Sequence, residues 1–537
     1  MIKCLSLSAA ALALILPATL PAQSPDRPAT TDPVFTPAAM RAHVEFLADD
    51  LLKGRDTGSE GHEIAARYVA SQFDGLGLKP AGDADGQGRS WLQRITFQKT
   101  ERTQTPATLT VSGPAGDQRF THAGDVLIGM NAAEPRLDVR APLVFVGYGL
   151  ENQRLGLNDY AGLDVTGKIV VTLRGYPKGL PSEEGAHLSA TKAMVAEKHG
   201  AIGMLSLGTL QSIKARPWAR MVQFADEPDF TWVSPEGKPF DQAPGIRAGA
   251  ALNDPAAQAV FAGAPQSIAA IRKLADRKGG KPKGFALKTS VRIQSDSASQ
   301  RVTSPNVVAI LPGSDPVLKD DYVVLSAHLD HIGVSPDKPG EPADKDRINN
   351  GALDNGAGIA TMLEVARAMA MAPDKPRRSI IFLASTGEEK GLLGSRWFVD
   401  HIPLPEQMKI VADINLDMIS RNDPTKIGIT PSPKHDHWSS LNEAAAAACV
   451  KEGLEPTYDV DSYYGRTDSY NFAKKGIPAI FLFSGVHEDY HRTSDESDKV
   501  DFNKAATVSR VAFRLGWQVA WAKQPPERKS AEPSGEN

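Results

Sequence analysis

Two histidines and five carboxylates stand at the ends of apolar runs in the second half of the sequence. His328 and Asp330 end YVVLSAHLD, Asp354 lies in NNGALDNGAG, Glu388 and Glu389 follow SIIFLAST, Asp417 ends KIVADINLD, and His491 follows PAIFLFSG. These are residue types that bind a divalent cation such as zinc, which takes neutral imidazole and carboxylate ligands at about 2.0–2.2 Å. Two histidines and three carboxylates suit two zinc ions. If one carboxylate bridges, each ion keeps three protein ligands and an open position for a shared water, as in two-metal hydrolases with ions about 3.5–4 Å apart. The remaining carboxylates then have other work. One must accept a proton from that water, and Asp330, two residues past His328 on the same strand face, can orient the imidazole.

Taken singly, each residue has a plainer role. Asp354 beside Asn355 and Gly356 is a typical helix cap, Glu388-Glu389 reads as a solvated pair, Asp417 as a buried acid paired with an arginine such as Arg421, and His491 as an ordinary surface histidine. Their common position at strand ends, across five chain segments, is what favours a joint site.

From Asn306 onward strands and helices alternate: NVVAILPG, YVVLSAHLD, the helix GIATMLEVARAMAMA, SIIFLAST, a helix around LLGSRWFVDHI, KIVADINLDMI, PAIFLFSG and a closing helix FNKAATVSRVAFRLGWQVAWA. This pattern predicts an α/β fold with a mixed, mostly parallel sheet flanked by helices. Function in such sheets gathers at the carboxyl ends of the strands, where the loops converge. Upstream, AAMRAHVEFLADDLLKG and HEIAARYVASQFDGLGL predict two amphipathic helices joined by the glycine-rich loop GRDTGSEG. Between about 101 and 288 the character changes to short β-branched runs such as LVFVGYG and KIVVTLRG, which reads as an inserted module.

The whole chain narrows the function classes. Hydrophobic residues make up 41% and charged residues 23%, and the net charge of -4 offers no basic surface for nucleic acid. Lys3 followed by AALALILPATL has the layout of a secretory signal peptide over 1–22, giving an exported protein, periplasmic or secreted. No other run approaches roughly 18 apolar residues, so no membrane span is expected in the mature chain. Cys4 leaves with the signal, and Cys449 remains alone in the alanine-rich helix LNEAAAAACVKEG as a small core residue. The polar, proline-containing end, 524–537, is expected to be disordered.

AHLD, NNGALDNGAG, STGEEKGLLGS, NLDM and DYHRTSDESDK resemble, in order, the ligand motifs of the co-catalytic zinc peptidases, the family of the secreted bacterial leucine aminopeptidases and glutamate carboxypeptidase. The resemblance implies that His328 and Asp417 bind one zinc, Glu389 and His491 the other, that Asp354 bridges both, and that Glu388 is the general base acting on a peptide substrate. GRDTGSEG with AARYVASQFDGLGLKPAG is similar to the family's N-terminal segment. GYGLENQRLGLNDYAGLDVTGKIVVTLRG with AEKHGAIGML is similar to a protease-associated domain. The implied organisation is a peptidase domain from 23–105 and 289–523, with the inserted β-rich protease-associated domain at 106–288.

One departure is Asp468-Ser469, where many relatives carry an aspartate-histidine pair. Tyr463 or Tyr464 is a candidate hydrogen-bond donor to a developing oxyanion. The expected activity is removal of amino-terminal residues. A carboxypeptidase would need a cation facing the metals, for which Arg466 is the candidate. The related carboxypeptidase and deacylase group usually carries its extra domain after the third acidic ligand, whereas here the insertion precedes His328. Glutaminyl cyclases share the fold with a single zinc. The transferrin receptor resembles the same two domains without a functional metal site, so a non-catalytic binding protein is the alternative from another class.

Overall fold

The computed structural model describes residues 33–529, apart from 87, 181–184, 186, 187, 338, 339 and 406. The expected signal peptide and Cys4 lie outside the described residues.

The two helices predicted near the N-terminus are Pro37–Leu47 and Glu60–Gly75. Thr36 caps the first by accepting from the Ala39 amide, with proline in its first turn, and Ser59 caps the second by accepting from His62. Between them a tight 3-10 segment, Asp50–Arg55, leads into the expected loop, with Lys53, Gly54 and Arg55 at positive φ. Gly54 is required there, since a Cβ would meet the Asn349 carbonyl oxygen at 2.4 Å and the Gly333 carbonyl oxygen at 2.8 Å.

The predicted mostly parallel sheet is present. Ser379–Ser385, Asp321–His328, Lys409–Leu416 and Ala479–Phe483 run parallel in that spatial order. The antiparallel partner of Ser379–Ser385 is the far half of a 27-residue strand, Phe285–Leu311, and Lys426–Thr430 lies antiparallel beyond Ala479–Phe483. Side chains on both faces of the parallel strands are buried, as a sheet covered by helices on each side requires. Register matters for the site: His328 pairs with Ser385 and Leu416 with Leu482, so the four parallel strands end on one rim.

One face is covered by Ala357–Ala370, Phe502–Trp521 and the two N-terminal helices, which share a core with the sheet. Gly358 lets the first of these approach closely, because a Cβ would meet the Leu416 carbonyl oxygen at 2.4 Å. Cys449 is buried in the helix Ser440–Lys451, a packing position. Among the described residues no helix is long and apolar enough to cross a membrane.

The segment from 107 to 293 has a second sheet and its own apolar core. Two expectations need correction. The boundary at 288 and 289 falls inside the continuous strand Phe285–Leu311, whose first half pairs with Arg136–Phe145 and whose second half pairs with Leu92–Arg102. One strand thus serves both sheets, and Asp229–Trp232, from within the inserted stretch, also joins Leu92–Arg102. The tail expected to be disordered from 524 is docked at 527–529: Ser440 N–H donates to the Glu527 carbonyl, Lys529 N–H to that of Trp438, and Arg528 to that of Ala473. Residues 530–537 lie outside the described residues.

Candidate metal centre

His328 ends its strand with Nε2 3.2 Å from Asp354 Oδ1 and 3.3 Å from Asp417 Oδ1. Its other ring nitrogen, Nδ1, donates to the Asp330 carbonyl oxygen at 3.0 Å, which leaves Nε2 as the free lone pair of a metal ligand. The orienting contact expected from the Asp330 side chain is therefore made by its backbone, its carboxylate standing 4.0 Å from Nδ1. That carboxylate holds something else. It accepts from the amides of Glu388 at 3.2 Å and Glu389 at 3.4 Å, and from the Thr57 hydroxyl at 2.9 Å.

Asp354 offers its second oxygen, Oδ2, to His491 Nε2 at 3.3 Å, and Glu389 Oε2 lies 3.1 Å from the same nitrogen. The helix-cap role for Asp354 is not used: Ala357–Ala370 begins with no side-chain cap. Instead Asp495 accepts from the amides of Leu353 and Asp354 at 2.8 and 3.1 Å. Asn355 donates to the Leu416 carbonyl at 2.9 Å, tying the Asp354 loop to the Asp417 strand end. Arg421 pairs with Asp489 at 2.8 Å rather than with Asp417.

His331 was not singled out by sequence. It is fully buried, its Nδ1 donates to Glu389 Oε1 at 2.8 Å, and it stands 3.9 Å from Asp354 Oδ2. The HxxH spacing of His328 and His331 was visible, but 331 lies beyond the strand end, where alternation no longer says which way a side chain points.

The donor set fits metal ions. His328, Asp354 and Asp417 converge as one group and His331, Asp354 and Glu389 as another, with Asp354 common to both. Separations of 3.1–3.3 Å across His328, Asp354, Asp417, Glu389 and His491 are those of atoms sharing a cation at ligand distance. The buried Nε2 of His491 makes no hydrogen bond despite its two carboxylate neighbours, so a cation is its natural partner. Charge agrees. Burial alone would depress His491, but Glu389 and Asp354 outweigh it and raise the imidazole to about 11. In His328 burial is likewise overcome, by Asp417 and Glu388, and the ring is held well above its ordinary value. A site this negative calls for cations.

Beside these ligands is a recess lined by Glu388, Met418, Tyr463, Arg466, Phe481, Phe483, Val486 and Tyr490. Burial pushes the Glu388 carboxyl well above the usual carboxylate range. Tyr490 stacks on His491 at 3.9 Å between ring centroids and accepts from Arg466 at 3.3 Å. The Arg466 guanidinium also lies over the Tyr463 ring, 5.3 Å from its centroid. Of the two tyrosines expected near an oxyanion, Tyr464 is turned away: it is buried, with its hydroxyl 3.1 Å from His437 Nδ1. Asp468 is buried and accepts from the Ser385 hydroxyl.

Comparison with known proteins agrees with this arrangement. Residues 306–515 match the family model described as Peptidase family M28. The chain is 30% identical over 201 residues to Leupeptin-inactivating enzyme 1 of Streptomyces exfoliatus, covering 37% of this chain and 40% of that protein. It is 35% identical over 231 residues to Aminopeptidase YwaD of Bacillus subtilis strain 168, covering 42% and 47%. The chain thus spans less than half the length of these curated relatives. In fold it is similar to an aminopeptidase from Aneurinibacillus sp. strain AM-1, with a TM-score of 0.52 and 22% identity over 93% of this chain and 96% of that one. Every ligand candidate falls within 306–515, the segment whose sequence matches the model of Peptidase family M28.

Proposed function

We propose that the protein is an exported di-zinc aminopeptidase, in which His328 and Asp417 would hold one zinc and Glu389 and His491 the other, with Asp354 available to both. The observation that carries this reading is the division of Asp354, one oxygen 3.2 Å from His328 and the other 3.3 Å from His491. Bound there, zinc would supply Lewis acidity for activating a water and polarising a carbonyl. Glu388 would take the proton from the attacking water and return it to the leaving amine, a role supported by its place in the recess beside the ligand candidates. Asp330 fixes Glu388 through its amide. Tyr490 donates to the developing oxyanion: because it accepts from Arg466, its own proton is free to give, and burial keeps the phenol protonated.

The carboxylates lining the recess favour a substrate's free ammonium terminus, and Met418, Phe481, Phe483 and Val486 favour an apolar side chain. Carboxypeptidase activity is the second reading, favoured by Arg466 at the same recess. Export rests on the apolar run after Lys3, and assignment of 106–288 as a protease-associated domain rests on its motifs and its separate core. The test is hydrolysis of leucine p-nitroanilide, of its N-acetyl form, and of a carboxy-terminal leucine from a blocked peptide, each with and without a chelator. Chelator-sensitive cleavage of the free amine alone is expected. Cleavage only of the blocked peptide would favour the carboxypeptidase, and no cleavage of any would favour a binding protein.

A further inference from the structure

The loop GRDT, residues 54–57, lies outside the segment matched to the peptidase family, yet it touches most of the chain segments that carry the metal centre. Arg55 is 1% exposed, and its guanidinium is spent on backbone carbonyls. Nε donates to Leu329 O at 3.0 Å, one terminal nitrogen to Asn350 O at 2.6 Å and to Leu47 O, and the other to Gly351 O at 2.9 Å. Leu329 follows His328 directly, and Asn350 and Gly351 precede Asp354. One planar cation therefore spaces the His328 strand end from the Asp354 loop, and a guanidinium does this with little loss of freedom because its donors are held in a fixed fork. The Arg55 carbonyl in turn accepts from the His331 amide at 3.3 Å.

Two neighbours continue the pattern. Thr57 donates to Asp330 Oδ2 at 2.9 Å, across 273 residues of sequence, and Asp330 carries the amides of Glu388 and Glu389. Asp56 pairs at 2.8 Å with Lys390, the residue after Glu389. Lys390 also lies 5.6 Å from the ring centroid of Phe230, from the inserted stretch. Three consecutive residues thus fix the loops bearing His328, Asp354 and the Glu388-Glu389 pair.

We propose that residues 54–57 form a clamp that sets the geometry of the metal centre, with Arg55 and Thr57 as positioning residues acting through the ligand-bearing loops. The proposal rests on the zinc reading above. Partners beyond the first ligands of a metal typically contribute 10–100-fold to metal affinity or activity.

Thr57→Val removes the hydroxyl while keeping the shape, and Thr57→Ser keeps the hydroxyl. Arg55→Lys keeps the charge but cannot reach carbonyls on opposite sides. Zinc affinity by competition with a chromophoric chelator, kcat and KM, and the melting temperature of the apoprotein would be measured for all three. We expect Thr57→Val to weaken zinc binding and lower kcat by about 10–100-fold with KM nearly unchanged and the apoprotein still folded, and Thr57→Ser to recover both. Arg55→Lys, if folded, should lose at least as much zinc affinity. Wild-type zinc affinity in Thr57→Val would overturn the proposal. So would losses that merely follow a fall in melting temperature, or that Thr57→Ser does not restore. A wild-type protein that binds no zinc would instead overturn the zinc reading itself.

Discussion

His331 Nδ1 lies 2.8 Å from Glu389 Oε1, a contact between two buried side chains 58 residues apart. It occupies one oxygen of Glu389 and leaves Oε2 facing His491. His331→Ala should therefore weaken zinc binding at the Glu389–His491 side by about 10–100-fold while sparing the His328–Asp417 side. Stepwise zinc titration checks this, and equal weakening of both steps would contradict it.

Asp330 accepts three hydrogen bonds from Thr57, Glu388 and Glu389. Asp330→Asn turns an amide donor towards a cluster of donors, and leaving buried groups unpaired costs about 1–3 kcal/mol each. Lower stability in urea is expected, together with a fall in kcat larger than any change in KM. Unchanged kcat would show that the Glu388 amide needs no such anchor.

Acid sensitivity should begin near neutrality. His62 is fully buried, and burial lowers its pKa to about 3, with Arg55 adding to the effect. The folded pKa lies below the unfolded value of about 6.5, so the unfolded chain binds the proton first and stability falls as pH drops below 6.5. Between pH 6.5 and 5 the loss from this residue is about 2 kcal/mol. The pH-dependent part of that loss should shrink in His62→Leu, measured by urea unfolding at pH 7 and pH 5.

Tyr464 and Tyr490 should respond differently to loss of the hydroxyl. Tyr490→Phe removes the proposed oxyanion donor and should lower kcat by about 10²–10³-fold. Tyr464→Phe removes a buried hydrogen bond with His437, worth about 1 kcal/mol, and should leave kcat intact. The reverse pattern in steady-state kinetics would move the donor to the other residue.

The parallel strands and the ligand candidates at their ends were legible because apolar runs and polar breaks are local signals, and a parallel sheet brings the ends of such runs to one rim. His331 and Tyr490 were harder to assign because they sit in loops, where no periodicity fixes direction. The contacts of Arg55 and Thr57 were invisible for another reason: they join residues nearly 300 positions apart, and those of Arg55 end on backbone carbonyls, which carry no residue identity. The boundary placed at 288 failed because one strand serves two sheets, and β-propensity does not register a change of partner. The docked tail at 527–529 is held by backbone and arginine contacts that a polar, proline-containing composition does not reveal.

The most direct test of the proposed chemistry is Glu388→Gln, assayed for both metal content and turnover. Glu388 is not among the grouped ligand candidates, but it lines the recess beside them. The variant should retain two zinc ions per chain while kcat falls by about 10²–10⁴-fold, the contribution expected of a general base. Near-wild-type turnover with both zinc ions bound would contradict the account.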